Sequence, residues 1–224
     1  MADVAAAADV SGQTVSRVVN GSSRVDPVTR DRVERAMKTL GYRPNRAARA
    51  LRTGTTQTIG LIATTLSQTG NSRLAQAISE AATAREYSLL VTTVGANGDI
   101  VAAFERLHDQ GIDGAIVLNE ATALARAAQT PTDLSLVVVD SPPDARFSIV
   151  SADHAGGAAA ATEHLLDHGH DAVWLIAGPE DSFAADERER GWRAALEGRG
   201  ISAPDLVRGD WTAASGYVAG AALA

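Results

Sequence analysis

From Ile59 onward, short runs of consecutive apolar residues alternate with longer stretches in which apolar residues recur every three or four positions. The runs fall at 59–63, 89–94, 115–118 and 136–139, and further strands are expected at 148–151 and 172–177. Runs of this length read as strands, and unbroken apolarity means burial on both faces. The intervening stretches, about 71–86, 98–109, 121–128, 154–168 and 182–198, read as helices. Strands alternating with helices predict α/β units on a parallel sheet.

Before Ile59 the pattern is helical and short-looped. A first helix is expected over Asp3 to Ala8 and a second over about Gly12 to Val19. Ser11 is placed to cap the second by accepting an orphan backbone N–H. Asp26-Pro27 opens a third helix, with Asp as cap and Pro at the first helical position. Its apolar positions Val33, Ala36, Met37 and Leu40 follow helical spacing, and Gly41 ends it. A short segment begins at Pro44-Asn45 and reaches Arg52, and residues 53–58 read as linker.

Charge sharpens this division. The 224 residues carry a net charge of −7, yet residues 1–58 hold ten basic and five acidic side chains and are positive by five. The remainder is negative by twelve. A small basic head on an acidic body points to a polyanion-binding module joined to something else. Hydrophobic residues make up 45% and charged residues 21%, which suits a packed globular chain and excludes disorder or a collagen-like repeat. With no cysteine, disulfides, thiolate metal sites and a cysteine nucleophile are excluded. No apolar run reaches the ~18 residues of a membrane span. The amino-terminal residues lack the basic segment of a secretory signal, so a cytoplasmic location without membrane partners is expected.

Two short helices, a tight turn and a third helix fit a helix-turn-helix, whose second helix enters the major groove. On it, Gln13 can pair with adenine and Arg17 with guanine. Thr14, Ser16 and Asn20 offer short polar groups for phosphates. Val10, Val15 and Val19 are expected to face the head's core. Pattern and charge alone leave a small structural helical domain as the other reading.

The residues themselves carry a more specific signal. Asp3-Val4-Ala5, Val10-Ser11, and Thr14 through Asn20 (TVSRVVN) strongly resemble the LacI/GalR family of transcription regulators. So do Thr29-Arg30, Val33, Ala36, Leu40-Gly41-Tyr42, Pro44-Asn45, Ala48 and Leu51. The resemblance implies a DNA-binding set of Ser11, Gln13, Thr14, Ser16, Arg17, Asn20, Asn45, Ala48, Arg49 and Leu51. It maps the family's hinge helix onto Asn45 to Arg52, where Leu51 would wedge into a base step and kink the duplex. An ordinary amphipathic linker helix is the other reading of that segment. A helix this short is marginal in water, which fits folding only on DNA. Two departures stand out. Only Met1-Ala2 precede Asp3, which implies either a poorly capped first helix or a true start further upstream. Asp9 occupies a turn position where many members place glycine, and Asp tolerates the left-handed backbone expected there.

The body resembles the family's core, which is similar to periplasmic sugar-binding proteins. It implies two α/β subdomains with a ligand cleft between them. The expected organisation is a helix-turn-helix domain at 1–44, hinge and linker at 45–58, a first subdomain at 59–148, and part of a second at 149–224. The chain reads as truncated, with the second subdomain incomplete. By position in the family pattern, Thr64 and Asp140 end strands, where open α/β sheets bind ligands. Arg188 matches an arginine that holds sugar hydroxyls and Trp211 an aromatic that stacks on the ligand. Gln68, Ser151 and Ser182 match pocket-lining positions.

Catalytic readings assemble poorly. His164 and His168 share a helix face, but His168-Gly169-His170 leaves the helix, so no metal site is expected. Asp153-His154-Ala-Gly-Gly157 lacks the Lys-Ser/Thr of a phosphate-binding loop. Ser215-Gly216 lacks the surrounding glycine pattern of a nucleophile elbow. No enzyme activity and no cofactor are expected. The resemblance implies a sequence-specific regulator, a repressor, working as a homodimer on a near-palindromic operator in double-stranded DNA under control of a sugar. The alternatives are a DNA-binding fragment without effector response and a transport-type sugar-binding protein.

Overall fold

The computed structural model describes residues 1–43, 50–51, 53–95, 98–132 and 134–223. The chain divides into two compact units, Met1–Thr56 and Gln57–Ala224.

In the first unit, α1 (Ala2–Ala7), α2 (Gly12–Val19) and α3 (Pro27–Thr39) surround a small core. Val4, Val15 and Val33, one from each helix, are fully buried there. Val18 is buried as well, whereas Val10 and Val19 lie half-buried at the rim. Val15 and Val18 are three residues apart and share a helical face, which leaves Val19 at its edge. Ser11 caps α2 by accepting the Thr14 N–H at 3.2 Å, and Asp26 caps α3 through Thr29 N–H at 2.9 Å. No side chain caps α1. Asp9, in the turn between α1 and α2, adopts φ +48°, the left-handed backbone expected of it. The hinge segment lies largely outside the described residues, and with it Asn45, Ala48 and Arg49. Leu51 is described, helical and 90% exposed.

The second unit is built on a five-stranded, wholly parallel sheet of order β2-β1-β3-β4-β5. Its strands are β1 (Thr58–Ala63), β2 (Ser88–Thr93), β3 (Gly114–Leu118), β4 (Ser135–Val139) and β5 (Ser148–Val150). The helices α4 (Thr69–Thr83), α5 (Ile100–Asp109) and α6 (Ala121–Ala127) connect them. Both faces of β1 are covered. Ile62 joins Phe104, Leu107, Val117 and Val138 in the main core, while Leu61 and Ala63 pack with Leu118 against Leu74 and Ile78 of α4. Gly60 admits α5 at close range, since a β-carbon there would come within 2.9 Å of Leu107 Cδ1.

Beyond β5 lie α7 (His154–Asp167), β6 (Ile176–Ala177), α8 (Phe183–Gly198), β7 (Val207–Arg208) and α9 (Ala213–Leu223). β6 and β7 pair in parallel as a two-stranded sheet. The helices α7 and α8 pack so closely that a β-carbon on Gly191 would lie 2.0 Å from the Ala155 carbonyl oxygen. The strand expected over 172–177 is shorter than its apolar run. Buried Trp192 donates its indole N–H to the Val173 carbonyl at 2.8 Å, within the part of that run that does not pair as strand. None of the described helices is long and apolar enough to cross a membrane.

Candidate functional site

In an open parallel sheet, ligands bind outside the carboxyl ends of the strands, where the strand order reverses. Here that reversal lies between β1 and β3. A cavity of about 290 Å³ sits at this position. Gln68, Thr69, Gly70 and Asn71 follow β1, Asn119 and Glu120 follow β3, and Asp140 follows β4. Ala184, Arg188 and Trp211 close the cavity from α8 and the segment after β7.

The walls are tied together. Buried Asn71 donates to the Thr65 carbonyl at 3.0 Å and to Gln68 Oε1 at 3.2 Å, and its Oδ1 accepts from the Asn119 side-chain amide. Asn119 N–H donates to the Val139 carbonyl at 3.0 Å, so the loop after β3 is fastened to β4. Three lining residues hold positive φ: Asn119 at +46°, Asp140 at +57° and Trp211 at +66°. For a residue as bulky as Trp this is a true outlier, and such strain collects at ligand sites. Trp211 is fixed there by its neighbours. The Asp210 carboxylate accepts the Thr212 N–H at 2.9 Å and the Thr212 hydroxyl at 2.6 Å. Hydrogen bonding from Ser215 and Thr212 holds the Asp210 carboxyl down at about 2.

A polar chain crosses the cavity's edge. Arg188 Nη2 lies 3.3 Å from His154 Nδ1, and His154 Nε2 lies 2.9 Å from Asp140 Oδ1. A guanidinium only donates, so Nδ1 accepts and the imidazole proton sits on Nε2. That N–H meets Asp140 off the direction a full hydrogen bond requires, so the contact is a close polar one rather than a well-formed hydrogen bond. Asp140 Oδ1 also accepts the Ala152 N–H at 3.2 Å. The Arg188 guanidinium stands 5.3 Å from the centre of the Trp211 ring, within range of a cation–π contact.

Three lining atoms, Asn119 Oδ1, Glu120 Oε2 and Trp211 Nε1, are buried without a hydrogen-bond partner among the described residues. Native proteins pair nearly all such atoms, and each exception calls for an explanation. Their convergence on one cavity makes it the candidate binding site for a polar ligand.

Of the seven residues expected at a ligand site, Gln68, Asp140, Arg188 and Trp211 line this cavity. Thr64 ends the β1 run, half-buried, its carbonyl accepting the Gly95 N–H. Ser151 is exposed beyond β5, and Ser182 is buried at the start of α8. These three are not among the lining residues. Sequence reasoning missed Thr69, Gly70, Asn71, Asn119, Glu120, Ala184 and the His154 bridge. The rule about strand ends could have found Asn119 and Glu120, which directly follow the third apolar run.

In the head, Gln13 and Arg17 are exposed four residues apart on α2, one helical turn from each other. Ser11 Oγ and Thr14 Oγ1 are 3.0 Å apart, and Asn20 Nδ2 donates to the Ser16 carbonyl at 2.6 Å. All six expected contact residues between Ser11 and Asn20 therefore belong to α2 or its two caps.

The chain matches two family models. Residues 1–45 match bacterial regulatory proteins of the lacI family, and residues 56–222 match the periplasmic binding proteins and sugar binding domain of the LacI family. It is 35% identical to the lactose operon repressor of Klebsiella pneumoniae over 221 residues, covering 96% of this chain and 62% of that repressor. It is 34% identical to the transcriptional regulator CelR of Thermobifida fusca, covering 96% of this chain and 67% of CelR. Among solved structures, the lac repressor dimer bound to operator and the anti-inducer ONPF superimposes with a TM-score of 0.79 at 32% identity, covering 96% of this chain and 67% of that one. The molecule thus joins a helix-turn-helix head to an α/β body of the periplasmic-binding-protein type. It belongs to the LacI family. It spans somewhat under two thirds of the length of the Klebsiella repressor.

Proposed function

We propose that this protein is a sequence-specific DNA-binding transcription regulator, a repressor, whose hold on DNA is set by a sugar bound in the cavity between its strand ends and α8. The observation that carries this reading is the set of buried, unpartnered polar atoms on the cavity wall, Asn119 Oδ1, Glu120 Oε2 and Trp211 Nε1. A polyhydroxylated ligand supplies the donors and acceptors these atoms lack, and the indole offers an apolar face for a sugar ring. Relatives named for the lactose and ribose operons and a CelR–cellobiose complex support a sugar as the ligand class.

In this reading, homodimers set two copies of α2 in successive major grooves of a near-palindromic operator. Gln13 and Arg17 read bases, Ser11, Thr14, Ser16 and Asn20 engage phosphates, and the hinge residues Asn45, Ala48, Arg49 and Leu51 contact the minor groove. Arg188, Trp211, Asp140 and Gln68 hold the sugar, with Thr64, Ser151 and Ser182 in supporting positions. The protein acts in the cytoplasm and catalyses no reaction. Sugar binding and DNA binding are coupled, and by linkage each must change the other's affinity by the same factor.

Fluorescence anisotropy with DNA from upstream of its own gene, against scrambled DNA at fixed salt, tests the reading. Preference for a near-palindromic site that shifts on adding sugar supports it. Equal, weak binding to both DNAs overturns sequence-specific regulation. Specific binding indifferent to every sugar leaves a DNA-binding protein without effector control.

A further inference from the structure

The cavity's charges are unevenly matched. Asp140 is served by the Ala152 N–H and by His154, and His154 in turn meets Arg188. Arg188 by itself would attract an anionic ligand, but Asp140 offsets its charge through this bridge. Glu120 has no such compensation among the described residues: its Oε2 is buried on the cavity wall without a partner there. The orphan atoms are two acceptors, Asn119 Oδ1 and Glu120 Oε2, and one donor, Trp211 Nε1. A phosphate or carboxylate brings acceptors and negative charge. It has no proton to give Glu120 and is repelled by it. Adjacent hydroxyls of a neutral sugar donate to both acceptors and still accept from the indole.

We infer that Glu120 is a specificity-determining residue that selects neutral, non-phosphorylated, non-acidic sugars and rejects sugar phosphates and uronic acids. The inference rests on the effector reading above and deepens it. The carboxylate acts by taking a hydrogen bond from a ligand hydroxyl. Hydrogen bonds to charged acceptors are stronger than those to neutral ones, and the same charge penalises an anion.

The test is isothermal calorimetry on the full chain with D-glucose, D-galactose, D-ribose, lactose and cellobiose, beside glucose 6-phosphate and D-glucuronate. At least one neutral sugar is expected to bind, and each anionic sugar at least ten-fold more weakly than neutral glucose or the best neutral ligand. Glu120→Gln is expected to weaken the neutral ligand about ten-fold and to narrow its lead over the anions. Glu120→Asp keeps the charge and is expected to keep the discrimination, which separates loss of charge from loss of fold. An anionic sugar that binds as tightly as its neutral counterpart overturns the inference while leaving the effector reading intact. An unchanged neutral-to-anion ratio in Glu120→Gln overturns it as well. Silence across the whole panel overturns the sugar reading itself, and this inference with it.

Discussion

Gly178 lies directly against the Trp211 indole: a β-carbon at that glycine would sit 2.0 Å from ring atom Cζ2. Arg208 supports the same spot, donating to the Gly178 carbonyl at 3.1 Å and pairing with Glu189 at 2.8 Å. Gly178→Ala is therefore expected to push the indole out of place. Overpacking of this kind costs about 1–3 kcal/mol. Tryptophan fluorescence should shift, and sugar affinity should fall at least ten-fold. Binding to DNA in the absence of sugar should stay unchanged, and an unaltered sugar affinity would show that Trp211 does not touch the ligand.

Arg188→Lys tests whether charge alone suffices at the cavity edge. Lysine keeps the positive charge but loses the planar fork that reaches His154 while lying over Trp211. A roughly ten-fold loss in sugar affinity is expected, on the order of 1.4 kcal/mol, read by calorimetry. Lysine binding as well as arginine would reduce the residue to a point charge.

On the DNA side, Arg17→Ala is expected to cost about 1–3 kcal/mol against the preferred site and to relax choice at one base pair. Anisotropy titrations against single-base variants of that site measure both. A uniform loss across all variants would reassign Arg17 to the phosphate backbone.

Ser11→Ala removes the cap of α2, whose hydroxyl accepts the Thr14 N–H. The head should lose about 1 kcal/mol of stability, seen as an earlier loss of helical circular dichroism. The α/β body should melt as before, because the two units are separately compact.

Acid should weaken the body through two carboxylates. Hydrogen bonding and charge from Arg146, with Arg126 nearby, hold Asp144 down at about 2, and Ser215 and Thr212 do the same for Asp210. The folded chain binds these protons more weakly than the unfolded chain. The stability they contribute is therefore complete above the unfolded carboxylate range, about pH 4, and is lost as pH falls through about 2. Melting temperatures taken from pH 5 to 2 should fall, and Asp144→Asn with Asp210→Asn should flatten that slope.

The sheet was readable in the chain because a parallel strand covered on both faces must be apolar throughout, as Leu61, Ile62 and Ala63 are. Two helix starts were readable because Ser11 and Asp26 each cap one through a backbone N–H; the Asp153 cap of α7 emerged only from the structure. The exception is β6, which pairs only over Ile176–Ala177, where the short β7 lies beside it, although the apolar run is longer. The cavity was half legible. Arg188 and Trp211 stood out by residue type and family position. Asn71 sat unnoticed inside a helical stretch, and His154 matters only because Asp140 and Arg188 meet around it. Such meetings are made by the sheet order, between residues far apart in the chain.

The spread of the cavity wall from Gln68 to Trp211 also sets an order of events during synthesis. The head's core is complete by α3, whereas the wall closes only when the segment after β7 has been made. At about 5–20 residues per second, the interval is on the order of ten seconds or more. Under the proposed function, a nascent chain carries throughout that interval a finished α2 and no completed sugar cavity to restrain it.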